Sequence, residues 1–259
     1  MAIYLIVFTK RQRQIMRFEK YGNENGKTLM LIHGMATTGH ACFDRIIPLL
    51  NTYCVILCEV DGHYSDSSFV SLDKCCEEIE KYITDNYNGS IYALLGFSMG
   101  GSIGIRLMDR GNITIQRVIL DAAFCVKMGM LTPVFREMFC YGVGRIKSGK
   151  QIPKALYEKI MGKGNTSLIE MMYIDISKET IRGVCNDVYR IEITDKIKQF
   201  KGKVLLMHGT NEPFPRKSLA RLKKYLPNIE SRVIDKMGHG QILHDKPEEY
   251  ASIILKYFE

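Results

Sequence analysis

The stretch that most constrains this chain is LLGFSMGGS, at residues 94–102. The apolar run that leads into it favours a buried strand, and residues 102–109 favour a helix. Ser98 stands between them, in the pattern Gly96-x-Ser98-x-Gly100. So sharp a change from strand to helix leaves no room for a Cβ two residues before or after the serine. The pattern therefore predicts a tight strand–turn–helix unit that pushes the Ser98 hydroxyl out of a sheet.

Short apolar runs alternate with amphipathic helical patterns along most of the 259 residues. Such runs are typical of strands buried on both faces of a sheet. The alternation predicts an α/β fold with a mostly parallel, doubly wound sheet, in a single domain over residues 1–259. The predicted strands are 2–8 and 14–21, which would form an edge hairpin, then 28–32, 55–60, 91–95, 117–120, 203–207 and 231–234. The predicted helices are 41–50, 71–87, 102–109 and 246–258.

Residues 125–195 interrupt this alternation. They contain no strand candidate and are rich in helix formers, methionines and aromatic residues. We therefore predict a helical insertion between two core strands. The hydrophobic fraction of 46% is ordinary for a globular chain of this length, which can build its core without disulfides.

The bulk composition argues against several classes of partner. The net charge is +8, but aromatic residues do not alternate with the basic clusters, so we expect solvated helix faces and no nucleic acid. The apolar segment 2–8 is short and lacks the features of a secretory signal, so we expect no stable membrane insertion. The eight cysteines include no CxxC pair. Free thiols, a cytoplasmic location and no metal or other cofactor are the corresponding expectations.

The turn at Ser98 is typical of a nucleophile elbow, in which the serine precedes a helix N-terminus. Backbone N–H groups and the helix dipole there favour a developing oxyanion. One such donor would be the N–H of Met99. The second would be the N–H of Met35, because the sequence His33-Gly34-Met35 ends another parallel strand.

A serine nucleophile needs a base, and histidine is the usual one. Of the six histidines, His239 lies between Gly238 and Gly240, just past the last predicted strand. That position is a loop at the carboxyl end of the sheet, where a side chain can reach the elbow. His33 and His208 sit at strand ends, where packing is the more ordinary role.

An orienting acid is expected from another strand end. Glu212 follows the strand before His239, so the chain order would be serine, acid, histidine. Asp121, at the end of the strand after the elbow, is the alternative acid. The pattern of residues leaves both open.

Together these residues resemble the α/β-hydrolase superfamily over nearly the whole chain. The motifs are HGM at 33–35, DGHYS at 61–65, GFSMGG at 96–101, GTNEP at 209–213 and GHG at 238–240. The resemblance implies an α/β-hydrolase fold, with residues 125–195 as a helical cap over the active site. It also implies Ser98 as nucleophile, His239 as base and Glu212 as acid, with an oxyanion hole made by the N–H groups of Met35 and Met99.

The chain departs from the family pattern at two places. Glu212 stands where the family usually has aspartate, which puts the acid assignment in doubt and keeps Asp121 as the alternative. DGHYS replaces the commoner proline-glycine-histidine-glycine turn. Ser98 itself argues against the branches with an aspartate nucleophile, the dehalogenases and epoxide hydrolases.

The expected function is hydrolysis of a small or medium-chain carboxylic ester by a serine esterase, through an acyl-enzyme. Methionines and aromatic residues in the insertion suit an adaptable apolar pocket for a small apolar acyl substrate. Other chemistry on the same scaffold stays open: a thioesterase, a C–C bond hydrolase, an aminopeptidase, a perhydrolase, or a non-catalytic ligand-binding protein. The candidate pocket residues are His33, Gly34, Phe124, Met128, Phe135, Met138 and Met172.

Overall fold

The computed structural model of the protein describes residues 16–161 and 165–259. Seven strands form one sheet: β1 Arg17–Gly22, β2 Thr28–Ile32, β3 Cys54–Glu59, β4 Ser90–Phe97, β5 Thr114–Asp121, β6 Lys203–Gly209 and β7 Glu230–Ile234. Their order across the sheet is β1-β3-β2-β4-β5-β6-β7. Only β1 is antiparallel to its neighbour, β3, and the other pairs are parallel. The predicted mostly parallel α/β fold class is thus confirmed.

Helices cover both faces of this sheet. They are α1 Gly39–Phe43, α2 Leu72–Tyr87, α3 Met99–Arg110, α4 Thr132–Lys147, α5 Lys154–Met161, α6 Ser167–Glu170, α7 Lys178–Val188, α8 Pro213–Leu222, α9 Gln241–Asp245 and α10 Pro247–Phe258. Successive β4 residues point to opposite faces, as the pleat requires. Leu94 packs in the apolar cluster that contains α2 and α3, and Leu95 packs in the cluster that contains α10.

Two details of the predicted elements change. The predicted strand 2–8 and the basic turn after it lie outside the described residues. The predicted helix 41–50 is not continuous: α1 ends at Phe43, and a separate 3-10 turn covers Ile47–Leu50. Pro48 explains the break, because it has no backbone N–H and disfavours helical geometry at the residue before it.

We use the name helical segment for residues 125–195, which lie between β5 and β6. Its described residues form α4, α5, α6, α7 and a 3-10 turn at Gly129–Leu131, with no strand among them. Backbone contacts join it to the loop after β2: Thr37 forms an isolated bridge with Met172, and the N–H of Tyr173 donates to the Ala36 carbonyl. The segment therefore stands at the carboxyl edge of the sheet.

All eight cysteines are buried and without disulfide bonds. Within the part of the chain that the structure describes, no helix combines the length and the apolar character needed to cross a membrane.

Candidate active site

Ser98 lies in the turn between β4 and α3 with φ 53° and ψ −109°. This left-handed backbone is costly for a residue other than glycine and is held by the surrounding structure. The Ser98 N–H donates to the Asp121 carbonyl at 2.8 Å. A Cβ on Gly96 would lie 2.3 Å from the Gly100 oxygen, and one on Gly100 would lie 2.1 Å from the Ile32 oxygen. The spacing of the two glycines in the sequence thus has a steric cause.

His239 lies in the loop after β7, and its ring reaches the serine. Its Nε2 is 2.9 Å from Ser98 Oγ, and its Nδ1 is 2.7 Å from Glu212 Oε2. Because a carboxylate accepts at Nδ1, that nitrogen carries the proton and Nε2 is free to accept from the serine hydroxyl. The three side chains therefore form one continuous hydrogen-bonded chain.

Glu212 is buried at the start of α8, directly after β6. Its second oxygen, Oε1, accepts from the Gly209 N–H at 2.7 Å, so both carboxylate oxygens have partners. This bond fixes the rotamer of a side chain that has one more rotatable bond than aspartate. The longer side chain of glutamate is accommodated here because the Gly209 N–H, at the end of β6, holds its carboxylate in place.

Asp121, the alternative acid, is placed differently. It is buried at the end of β5, and its Oδ2 accepts from the Tyr250 hydroxyl at 2.8 Å. Burial, and then the negative charge of Glu212, raise the pKa of Asp121 to about 7. The hydrogen bond to His239 comes from Glu212 and not from Asp121.

Two residues that were expected to supply oxyanion donors lie beside Ser98. Met35 follows β2 and Met99 is the first residue of α3, and both line the cavity that Ser98 opens into. Among the described residues no acceptor for either N–H is found. Donors without internal partners beside a nucleophile can stabilise an oxyanion.

The helical segment braces the histidine from the other side. The His239 N–H donates to the Met161 carbonyl at 2.9 Å, and Asn165 Nδ2 donates to the His239 carbonyl at 2.8 Å. Asn165 is buried, and its Oδ1 accepts from the Ser167 N–H. The sequence gives no signal for this role, because it depends on a contact 74 residues away in the chain.

The cavity above Ser98 has a volume of about 90 Å³ and walls that are almost entirely apolar. Of the predicted pocket residues, Phe124, Met128 and Phe135 line it. Met138 and Met172 line a second cavity instead. Sequence reasoning missed other lining residues, and the amphipathic spacing of α7 gives a hint for three of them. The missed residues are Phe97, Ala122, Phe139, Met161, Val184, Cys185, Val188, Tyr189, Phe214 and Pro215.

His33 and Gly34, also predicted for the pocket, line neither of these cavities. The His33 ring is fully buried: Nδ1 donates to the Gly34 carbonyl, and Nε2 accepts from the Val60 N–H at 3.0 Å. Burial lowers the pKa of His33 to about 4, so the ring is neutral. Gly34 packs against the Phe97 ring, which a Cβ would approach to 2.9 Å. Both residues therefore pack close to the turn that carries Ser98 and do not line the pocket.

A family model for the alpha/beta hydrolase fold matches residues 27–245, and the chain belongs to that family. Membership supports a hydrolase. No curated protein matches the chain.

Solved structures share the fold at low sequence identity. An alpha/beta hydrolase family protein from Desulfitobacterium hafniense has a TM-score of 0.84 and 22% identity, over 94% of this chain and 100% of that chain. MenH from S. aureus has a TM-score of 0.71 and 18% identity, over 95% and 98%. An esterase from Exiguobacterium antarcticum has a TM-score of 0.70 and 18% identity, over 94% and 95%.

Proposed function

We propose that this protein is a serine hydrolase that cleaves small or medium-chain carboxylic esters, with Ser98 as nucleophile, His239 as base and Glu212 as acid. The observation that carries the proposal is the hydrogen-bonded chain from Glu212 through His239 to Ser98, with distances of 2.7 and 2.9 Å. This chain ends in an apolar cavity. Such a cavity suits an uncharged acyl substrate better than a sugar or a phosphate.

The proposed reaction has two halves. Ser98 Oγ attacks the ester carbonyl carbon while its proton passes to His239 Nε2, and the oxyanion accepts from the N–H groups of Met35 and Met99. The C–O bond to the alcohol then breaks, and His239 returns the proton to the leaving oxygen. Water, deprotonated by His239, attacks the acyl carbon. The bond to Ser98 Oγ then breaks, His239 returns the proton to that oxygen, and the carboxylic acid is released. Glu212 holds the imidazole in the required tautomer throughout.

The helical segment is proposed as the cap of this site. It supplies one wall of the cavity, with Met128, Phe135 and Val188 among its contributions. A wall built from flexible and aromatic side chains can adapt to several acyl groups. Thioester, amide and C–C bond cleavage begin with the same nucleophile, so the choice among them is a matter of substrate.

The test is hydrolysis of p-nitrophenyl esters from acetyl to decanoyl. We expect the wild type to turn over and Ser98→Ala to lose activity by on the order of 10⁴-fold or more, because the nucleophile is gone. Ser252→Ala, an exposed serine of α10, is the control and keeps full activity. Full activity in Ser98→Ala would overturn the mechanism. A wild type inactive on every ester would move the proposal to thioester, amide or C–C substrates, or to a binding protein.

A further inference from the structure

A second cavity, of about 70 Å³, lies beside the catalytic one. It is formed between α4, α5 and the loop after β2, and its walls are almost wholly apolar. The residues that line it are Met35, Ala36, Thr37, Met138, Phe139, Gly142, Val143, Ile152, Tyr157, Met161 and Met172. We call it the distal cavity.

The two cavities are neighbours that share part of their lining. Three side chains, Met35, Phe139 and Met161, line both of them. Two of the three are methionines, whose unbranched side chains adapt to what lies beside them. Met35 also carries one of the two backbone N–H groups proposed for the oxyanion. The distal cavity therefore begins next to the position of the reacting carbonyl.

The walls of the distal cavity carry one buried side-chain polar group without a hydrogen-bond partner among the described residues, the Tyr157 hydroxyl. None of its lining residues is ionic. The Thr37 hydroxyl is already engaged with the Gly34 carbonyl and Cys42 Sγ. Burial raises the pKa of Tyr157 to about 12, so its hydroxyl is neutral. The chemistry of the walls thus fits a hydrocarbon chain.

Resting on the proposed function, we propose that the distal cavity binds the far end of the substrate's acyl chain and that Gly142 sets its depth. The leaving alcohol oxygen has to lie within reach of His239, and His239 lines the catalytic cavity but not the distal one. A chain that extends past Met35 into the distal cavity therefore belongs to the acyl side. The substrate class is an unbranched, uncharged, medium-chain acyl ester.

Gly142 is assigned this role because it has no side chain at a lining position of α4. A Cβ on Gly142 would point at Ile152, with its Cδ1 at 3.4 Å, an ordinary contact. A larger side chain at residue 142 would therefore occupy the space between α4 and Ile152. Gly144 lies two residues along the same helix, and a Cβ there would have no neighbour within 4 Å. Gly144 lines neither cavity.

The experiment compares Gly142→Leu with the matched control Gly144→Leu. Both replace a helical glycine by leucine, so the gain in helix propensity is the same. Each is assayed on p-nitrophenyl acetate and p-nitrophenyl octanoate. We expect Gly142→Leu to lose about tenfold to 100-fold in kcat/KM on the octanoate and to keep its acetate activity, since filling a hydrophobic pocket excludes methylenes that it would hold. Gly144→Leu is expected to match the wild type on both.

Ile152→Ala tests the opposite change in the size of the distal cavity. It enlarges the distal cavity, so the optimum acyl length moves to a longer chain than in the wild type. A series of acetate esters with longer alcohols tests whether the distal cavity holds the alcohol side of the substrate. On this series we expect Gly142→Leu and the wild type to have equal activity. The last substrate is the p-nitrophenyl monoester of the eight-carbon dicarboxylic acid, which tests whether the apolar walls exclude a charge. We expect it to react at least about tenfold more slowly than the octanoate, because the far end of its acyl chain is charged.

The possible outcomes distinguish a failure of the distal-cavity proposal from a failure of the proposed esterase function. Equal octanoate activity in Gly142→Leu and Gly144→Leu, or a loss on the alcohol series in place of the acyl series, overturns the assignment of the distal cavity while esterase activity stands. A wild type that hydrolyses neither the acetate nor the octanoate is a failure of the proposed function itself. If Gly142→Leu does not fold, as judged by its thermal unfolding, an unchanged chain-length optimum in Ile152→Ala overturns the assignment.

Discussion

The sheet and the helical segment contribute to the site in different ways. Ser98, Glu212 and His239 all follow strands, and the ladder of β4, β5, β6 and β7 sets the positions of those strand ends. The helical segment supplies cavity walls instead. Its outer surface is open: Met130 is 96% exposed and Val134 is 61% exposed. The sheet thus holds the three proposed catalytic side chains, while the segment forms part of the cavity wall beside them.

This difference has an energetic basis. In β4 and β5 nearly every apolar side chain is fully buried, so a displaced strand would lose hydrogen bonds and packing together. The helical segment is tied in unevenly: Ile181 and Val184 of α7 are buried in the apolar cluster that contains α2 and α3, whereas Met130 and Val134 near its start stay exposed. Chemistry that tolerates errors of only a few tenths of an ångström is expected on the stiffer part.

The largest expected effect comes from the acid in the sheet region. Glu212→Gln keeps the shape of the side chain but removes the carboxylate that holds the His239 tautomer, so we expect kcat/KM to fall by roughly 10³–10⁴-fold. The fall is the same for every acyl length, since the change concerns chemistry and not the walls. Steady-state kinetics on the ester series measures it.

The matched control for that change is Asp121→Asn, because Asp121 is buried nearby and makes no hydrogen bond to His239. It is expected to stay within about tenfold of the wild type. If Asp121→Asn were the inactive variant and Glu212→Gln the active one, the acid role would belong to β5 and not to β6.

A pair of leucines tests the difference in packing. Leu120→Ala empties a fully buried site in β5 and is expected to lower the free energy of unfolding by about 2–5 kcal/mol. Leu131→Ala, at the exposed start of α4, is expected to change it by less than about 0.5 kcal/mol, because Leu131 is 55% exposed. Urea unfolding of the two variants gives both values. Similar losses would mean that the helical segment is packed as tightly as the sheet.

A further expected effect is a pH dependence of stability carried by Asp121. Its pKa is raised from an ordinary 3.8 to about 7, so the folded state holds a proton that the unfolded state releases. Its contribution to stability is therefore fully present below about pH 4 and is lost as the pH rises towards 7. Between pH 4 and pH 8 we expect wild type to lose about 2–4 kcal/mol relative to Asp121→Asn, at about 1.4 kcal/mol per unit.

Urea midpoints of the two proteins across that range supply the measurement. The asparagine oxygen still accepts from Tyr250, so the comparison isolates the charge. A constant difference between wild type and Asp121→Asn from pH 4 to pH 8 would show that the carboxylate stays ionised in the folded protein.

Much of the fold was readable from local patterns. The strand at 28–32, the helix at 71–87 and the elbow at Ser98 follow from short-range rules: apolar runs, helical spacing and steric exclusion of Cβ atoms between glycines. The position of the break after Phe43 was missed, because the helical pattern outweighed the signal from Pro48. Ser98 follows from the glycine spacing at the elbow and His239 from its glycine-flanked loop, while the acid stays open between Glu212 and Asp121.

What the sequence determined by itself is the strands of the parallel sheet, the helices near 71–87, 102–109 and 246–258, and the candidate catalytic residues, because each depends on neighbours within a few positions. Only the tertiary structure decided which acid bonds His239, that Met138 and Met172 line a separate cavity, and that Asn165 braces the histidine backbone. These facts depend on side chains far apart in the chain that meet only when the sheet and helices pack. A periodic pattern identifies which face of a helix is apolar, but the space that the face encloses is set by every element packed against it.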